Sequence, residues 1–194
     1  FSKGKSVIVY GQTEITIDLI STHIGSGGEI IFNADNVLPN KFDTSKPNIT
    51  YQHNNINYQL DCDFIAGCDG FHGVSRSQIP IKDQTIFERK YPYAWLGILA
   101  EAPPPSSELI YATHERGFAL FSMRPPSRSR SYLQCSPDLD LNKWPDTRIW
   151  DELQTRLGSK TESPVCEGKI LAKGVPPMRS FVVEPLRYGH LFLA

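Results

Sequence analysis

The stretch DFIAGCDGFHGVSR, residues 63–76, joins an apolar run, Phe64-Ile65-Ala66, to a turn framed by Gly67, Gly70 and Gly73. A buried strand that stops in a glycine-framed polar turn presents backbone N–H groups and charges to a ligand. In such a turn Asp69 accepts a hydrogen bond from a ligand hydroxyl, while His72, Arg76 and backbone amides face phosphates. A plain tight turn closed by an Asx-type hydrogen bond fits the same letters.

Upstream of this turn, residues 6–10 read as a short connection or strand. Ile17, Ile20 and Ile24, with Leu19 beside them, then form a helical stripe, with Thr13 as N-cap and a stop at 25–28. Residues 29–32 form a β-rich run, and 48–52 with 56–60, joined by HNN, predict a hairpin. Downstream of about residue 91, YAWLGILAE, ELIYATH, GFALFSM and RSYLQCS are strand candidates separated by Pro- and Ser-rich spacers, the pattern of a mostly antiparallel sheet. A helix follows with Ile149, Trp150, Leu153 and Leu157 on one face and Gly158 past its end. SFVVEPL and HLFLA close the chain as strands. The fold class expected is α+β: part of an α/β lobe plus a mostly antiparallel sheet with a flanking helix.

Composition narrows the function. The 194 residues are 40% hydrophobic and 21% charged, the texture of a globular protein, and the net charge of −1 lacks the basic balance of a nucleic-acid or membrane-surface binder. No apolar run approaches the roughly 18–20 residues that cross a bilayer, and FSKGKSVIVYGQ does not read as a signal peptide. Cys62, Cys68, Cys135 and Cys166 lack C-x-x-C spacing; reduced, mostly buried thiols of a cytoplasmic protein are expected, and a zinc site is not.

Side chains two apart on a strand share a face. One face of GFALFSMR carries Phe118, Leu120, Ser122 and Arg124; one face of RSYLQ carries Arg130, Tyr132 and Gln134; one face of ELIYATH carries Leu109, Tyr111 and Thr113. If these faces align, Tyr111, Ser122, Arg124 and Tyr132 converge above an apolar floor, where a guanidinium and hydroxyls suit the carboxylate of a small aromatic acid. The outer face of a half-exposed antiparallel sheet has the same pattern.

DFIAGCDGFHGVSRSQIP (63–80) resembles the Asp-Gly motif of the flavin-dependent aromatic hydroxylases. VYGQTEIT (9–16), ELIYATHERGFALFSMR (108–124), SRSRSYLQ (127–134) and MRSFVVEPLRYGHLFLA (178–194) fit the same family in order. The members acting on 4-hydroxybenzoate are the most similar. The resemblance implies hydroxylation of 4-hydroxybenzoate to 3,4-dihydroxybenzoate with FAD, NADPH and O2, in cytoplasm, by an enzyme that is commonly a homodimer. It implies that Ser122, Arg124 and Tyr132 bind the substrate carboxylate. Tyr111 would hydrogen-bond the phenolic oxygen and favour the phenolate, and is the candidate catalytic residue. Gln12, Asp69 and Arg130 would meet FAD, and His72, Arg76 and Arg179 the nicotinamide cofactor. The domain expectation is a partial FAD-binding lobe over 1–85, a substrate-binding sheet over 86–180 and a return strand over 181–194.

The same resemblance implies a central segment. The family's opening G-x-G-x-x-G turn has no counterpart, since GSGG at 25–28 follows a helix, and the Gly-Asp motif beyond LFLA is not reached. Residues 64–66 would then leave an apolar sheet edge open to association. RPPSRSRSY at 124–132 and a shortened stretch between Leu157 and Glu167 depart from the family pattern. Two alternatives stand beside the hydroxylase: a sister enzyme for another phenolic acid, and a non-catalytic fragment or weak aromatic-acid binding module.

Overall fold

HNNI at 53–56 sets the first piece of architecture. Asn54 and Asn55 take φ of 52° and 63°, the left-handed pair that a two-residue type I′ turn demands and that Asn tolerates. They join β2 (Asn48–His53) to β3 (Ile56–Asp61) with His53 opposite Ile56 and Tyr51 stacked on Tyr58 at 5.3 Å. The structure, a computed structural model, describes Gly4, Ser6 and residues 8–124, 127–158 and 164–194. Contacts divide the chain into two compact units, 1–22 with 90–179 and 23–89 with 180–194.

In the second unit β1 (Asp35–Asn40) pairs antiparallel with β2, completing a three-stranded sheet. The expected strand at 29–32 does not form. Ile30, Ile31 and Phe32 stay exposed, and a turn at 32–33, with Asn33 at φ 54°, precedes β1. Pairing with β2 thus overrides the poor strand propensity of DNVLPN. A second sheet runs β11 (Arg187–Tyr188), β12 (Leu191–Leu193), β4 (Ile65–Gly67), with β12 and β4 parallel. The strand expected at 64–66 therefore lies one residue later. Leu191, Phe192 and Leu193 pair with Ile65, Ala66 and Gly67 on one side, and β4 is the outer strand of this sheet, so its other edge has no strand partner among the described residues. Phe42, Ile65, Ile79 and Leu191 form the core beneath, with Tyr188 edge-on to Phe42 at 6.1 Å.

The larger sheet has the order β10 (Pro177–Glu184), β5 (Thr85–Glu101), β8 (Ser129–Cys135), β7 (Ala119–Met123), β6 (Ile110–Ala112), with β9 (Lys169–Gly174) also on β5. β5 pairs antiparallel with β8 and β9, and β7 with β6 and β8, as expected of a mostly antiparallel sheet. β5 starts earlier than the apolar run suggests, β6 is shorter, and β9 and β11 had no clear signal. Period-two alternation buries Ala94, Leu96, Ile98 and Ala100 on one face of β5. Leu96, Ile98, Phe121 and Leu133 pack with α2 (Asp146–Leu157), whose Ile149, Trp150, Leu153 and Leu157 are buried at the expected helical spacing. Fully burying an aliphatic side chain of this kind contributes about 1.5–3 kcal/mol, so this layer fixes the sheet's other face as the free one.

α1 (Gln12–Gly25) differs from expectation in two ways. It starts at Gln12, with the Gly11 carbonyl accepting from Ile15 N–H, so Thr13 lies inside the helix instead of capping it. None of its residues is buried, and Ile17, Leu19 and Ile24 are exposed. Residues 8–10 form a connection without regular structure. Pro125 and Pro126, and 159–163 of the shortened stretch, lie outside the described residues. Cys62 and Cys135 are half-buried free thiols, whereas Cys68 and Cys166 are exposed, so only two of the four approach the expected burial.

Candidate functional site

Strand register in the first unit settles whether the three polar faces align. Tyr111 lies opposite Leu120, Leu120 opposite Tyr132, and Tyr132 opposite Gly97. In the next row Ser122 lies opposite Arg130, and Arg130 opposite Leu99. Cross-strand partners share a face, so Tyr111, Ser122, Arg130 and Tyr132 stand together on the face away from α2. Sequence reasoning missed the aromatic wall beside them. Trp95 packs on Phe118 at 5.5 Å and Phe118 on Tyr111 at 5.8 Å. The period-two spacing of Tyr93, Trp95 and Gly97 could have revealed it.

Each side chain has a definite setting. Tyr111 is 64% exposed, so its hydroxyl is open to a ligand. Ser122 is buried and its Oγ donates to the Arg130 carbonyl at 3.2 Å. The Arg130 guanidinium lies 5.3 Å from the Tyr132 ring centre, a cation–π distance. Arg130 Nε is buried without a hydrogen-bond partner. An orphaned charged donor is costly unless an acceptor arrives, so the face is chemically fitted to an anionic or carbonyl-rich guest. Arg124 closes β7: its N–H donates to the Arg128 carbonyl at 3.3 Å, and its guanidinium comes so near Gly11 that a Cβ there would sit 3.1 Å from Nη1. Gln12, the first residue of α1, follows Gly11 and is exposed.

In the second unit the Asp69 turn is tightly built. Asp69 Oδ2 accepts from the Ser75 N–H at 2.8 Å. Partial desolvation raises its carboxyl pKa, but hydrogen bonds from Ser75 and neighbouring amides outweigh that and hold it below the ordinary 3.8. The Asp69 carboxylate fills the space where a Cβ on Gly73 would stand, which is why that position is glycine. Arg76 is less free than a phosphate-seeking cation: its guanidinium donates to the Phe71 carbonyl at 2.9 Å and lies 5.1 and 4.6 Å from the Phe71 and Phe181 ring centres. His72 is exposed and edge-on to Phe71 at 4.9 Å. A hollow of about 380 Å3 opens here, lined by Asp69, Gly70, Phe71, Arg76, Phe181 and Leu193 among others. Arg179 is exposed on β10. Among the described residues no His, Cys, Asp and Glu cluster could hold a metal ion, and no helix is long and apolar enough to cross a membrane.

The comparison that decides the family covers nearly every residue: positions 2–194 match the FAD binding domain. The chain belongs to that family. It is 44% identical over 193 residues to the p-hydroxybenzoate hydroxylase of Acinetobacter baylyi, a match that covers 100% of this chain and 48% of the relative. The chain thus spans about half the length of that curated relative. Its fold is shared with aklavinone-11 hydroxylase, solved with FAD and aklavinone, at a TM-score of 0.70, 16% identity and coverage of 95% of this chain and 35% of that one. It is shared equally with p-nitrophenol 4-monooxygenase from Pseudomonas putida, at a TM-score of 0.70, 14% identity and coverage of 96% and 47%. The α+β fold with a mostly antiparallel sheet is therefore that of FAD-binding hydroxylases. An orphaned Arg130 Nε and a turn that holds Asp69 ionised both suit FAD, which offers acceptors and hydroxyls.

Proposed function

We propose that this chain is part of a flavin-dependent monooxygenase that converts 4-hydroxybenzoate to 3,4-dihydroxybenzoate, consuming NADPH, a proton and O2 and releasing NADP+ and water, in the cytoplasm. One observation carries the reading: the register that sets Tyr111, Tyr132, Ser122 and Arg130 on a single sheet face, within segments shared with a hydroxylase of that acid.

In this reading Arg124 gives the substrate carboxylate paired N–H donors, with the Ser122 and Tyr132 hydroxyls completing the anchor. Ser122 Oγ turns from the Arg130 carbonyl to do so. The exposed Tyr111 hydroxyl accepts or donates at the phenolic oxygen and eases loss of its proton, which enriches the adjacent ring carbon in electron density. Trp95 and Phe118 wall the ring and exclude water. FAD, when bound, supplies the activation of O2. Arg130 Nε donates to an acceptor on FAD, Gln12 and Asp69 hold it by hydrogen bonds, and His72, Arg76 and Arg179 serve NADPH.

The test is an FAD titration followed by flavin fluorescence, with and without 4-hydroxybenzoate, and then product analysis with NADPH or NADH over a panel of phenolic acids. Tight FAD binding that responds to the acid, and 3,4-dihydroxybenzoate as product, is the expected result. A protein that binds FAD but hydroxylates only a different phenolic acid overturns the substrate; one that binds no FAD overturns the whole proposal.

A further inference from the structure

Glu152 on α2 is buried, yet it is a carboxylate with two arginine partners. Arg156 Nε donates to its Oε1 at 2.8 Å and Arg116 Nη2 pairs with its Oε2 at 2.6 Å. A buried charge set of this kind is weak evidence for stability and is better read as fixing one arrangement. What it fixes is traceable. Arg156 Nη1 donates to the Gln134 carbonyl at 2.7 Å and to the Phe118 carbonyl at 3.1 Å. Gln134 Oε1 accepts from the Phe118 N–H at 3.0 Å, and the Gln134 N–H donates back to the Phe118 carbonyl at 2.9 Å. Both backbone groups of Phe118 are thereby held.

Arg116 sits in the turn that joins β6 to β7, closed by Gly117 N–H on the His114 carbonyl. Gly117 takes φ 110°, and a Cβ there would meet Arg156 Nη1 at 3.2 Å. The clamp therefore grips the hairpin at its turn and at the start of β7. Phe118 in turn packs on Tyr111, whose ring is otherwise mostly exposed.

We infer that Arg156, Glu152 and Arg116 are positioning residues: from the far side of the sheet they set the Tyr111 ring through Phe118, and so tune recognition of the substrate's phenolic oxygen while leaving its carboxylate anchor untouched. The inference rests on the role given to Tyr111 above. None of the three faces the guest.

The test compares 4-hydroxybenzoate with benzoate, which lacks the phenolic oxygen, by calorimetric titration of the FAD-loaded protein. Glu152→Gln and Arg156→Lys should weaken 4-hydroxybenzoate about fivefold or more, the loss of roughly one hydrogen bond, and leave benzoate within about twofold. Tyr111→Phe should reproduce that split. Should the α2 variants fail to fold, Arg116→Gln carries the test, because that side chain is 54% exposed on a turn. Equal loss for both acids, or no change for either, overturns the clamp inference. An unsubstituted protein that binds neither acid overturns the substrate reading and the clamp with it; one that binds both while the variants bind unchanged overturns the clamp alone.

Discussion

Gly73→Ala tests the Asp69 turn at its tightest point. The added Cβ would stand inside the Asp69 carboxylate, so the carboxylate must swing away and release Ser75 N–H, now at 2.8 Å. A hydrogen bond to a charged acceptor is worth about 1.5–3 kcal/mol; Asp69 is exposed, and screening brings each lost bond to about 1 kcal/mol. Losing the bonds from the Ser75 N–H and the Ser75 hydroxyl therefore costs about 2 kcal/mol. Stiffening the unfolded chain returns roughly 0.4–1 kcal/mol, for a net loss of about 1 kcal/mol and a fall in Tm of about 3 °C. In an Asp69→Ala background the clash disappears, so the double-mutant cycle should show a coupling of about 2 kcal/mol. The coupling has a pH sign. Because the folded carboxyl lies below its ordinary 3.8, its contribution is complete above that value and is lost as pH falls through the folded pKa. Urea unfolding of the four proteins at neutral and acid pH measures both. A coupling under about 0.5 kcal/mol at pH 7, or one that grows on acidification, would refute the reasoning. FAD affinity should fall in Gly73→Ala and Asp69→Ala alike.

Leu153→Ala removes a fully buried side chain from the face of α2 that packs on the large sheet, and should lower stability by about 2–5 kcal/mol in urea unfolding. Tyr111→Phe keeps the ring against Phe118 but deletes the hydroxyl; hydroxylation of 4-hydroxybenzoate should drop on the order of 100-fold by product assay, with benzoate affinity retained. Asn55→Ala places a Cβ-bearing residue with no local hydrogen-bonding side chain at φ 63°, and should cost about 1 kcal/mol in thermal unfolding, whereas Asn55→Gly should be neutral or better.

The parts of the fold that were legible are those where pattern and partner agree. Asn54-Asn55 carries its turn type in its side chains, and α2 carries its buried face in the spacing of Ile149, Trp150, Leu153 and Leu157. YAWLGILAE read as a strand, and its alternation is the one that buries Ala94, Leu96, Ile98 and Ala100 on one face of β5. Where pattern and partner part, the sequence misled. IIF at 30–32 has strand propensity but no strand beside it, while DNVLPN, poor in propensity, pairs with β2. The apolar stripe of α1 looks like that of a packed helix, yet no residue of α1 is buried.

The candidate site divides in the same way. Sequence by itself determined which residue types stand two apart on each strand, and so that Tyr111, Ser122, Arg124 and Tyr132 were eligible to share a face; it also framed Asp69 with glycines. Only the tertiary structure decided the register that sets Tyr111, Leu120 and Tyr132 in one row. It also decided the orphaned Arg130 Nε, the stacking that engages Arg76, and the reach of Arg156 from α2 to Phe118. The physical reason is range. Side-chain alternation and turn chemistry are written within a few residues, whereas register, burial and charge pairing are set by strands and a helix that meet from tens of residues away.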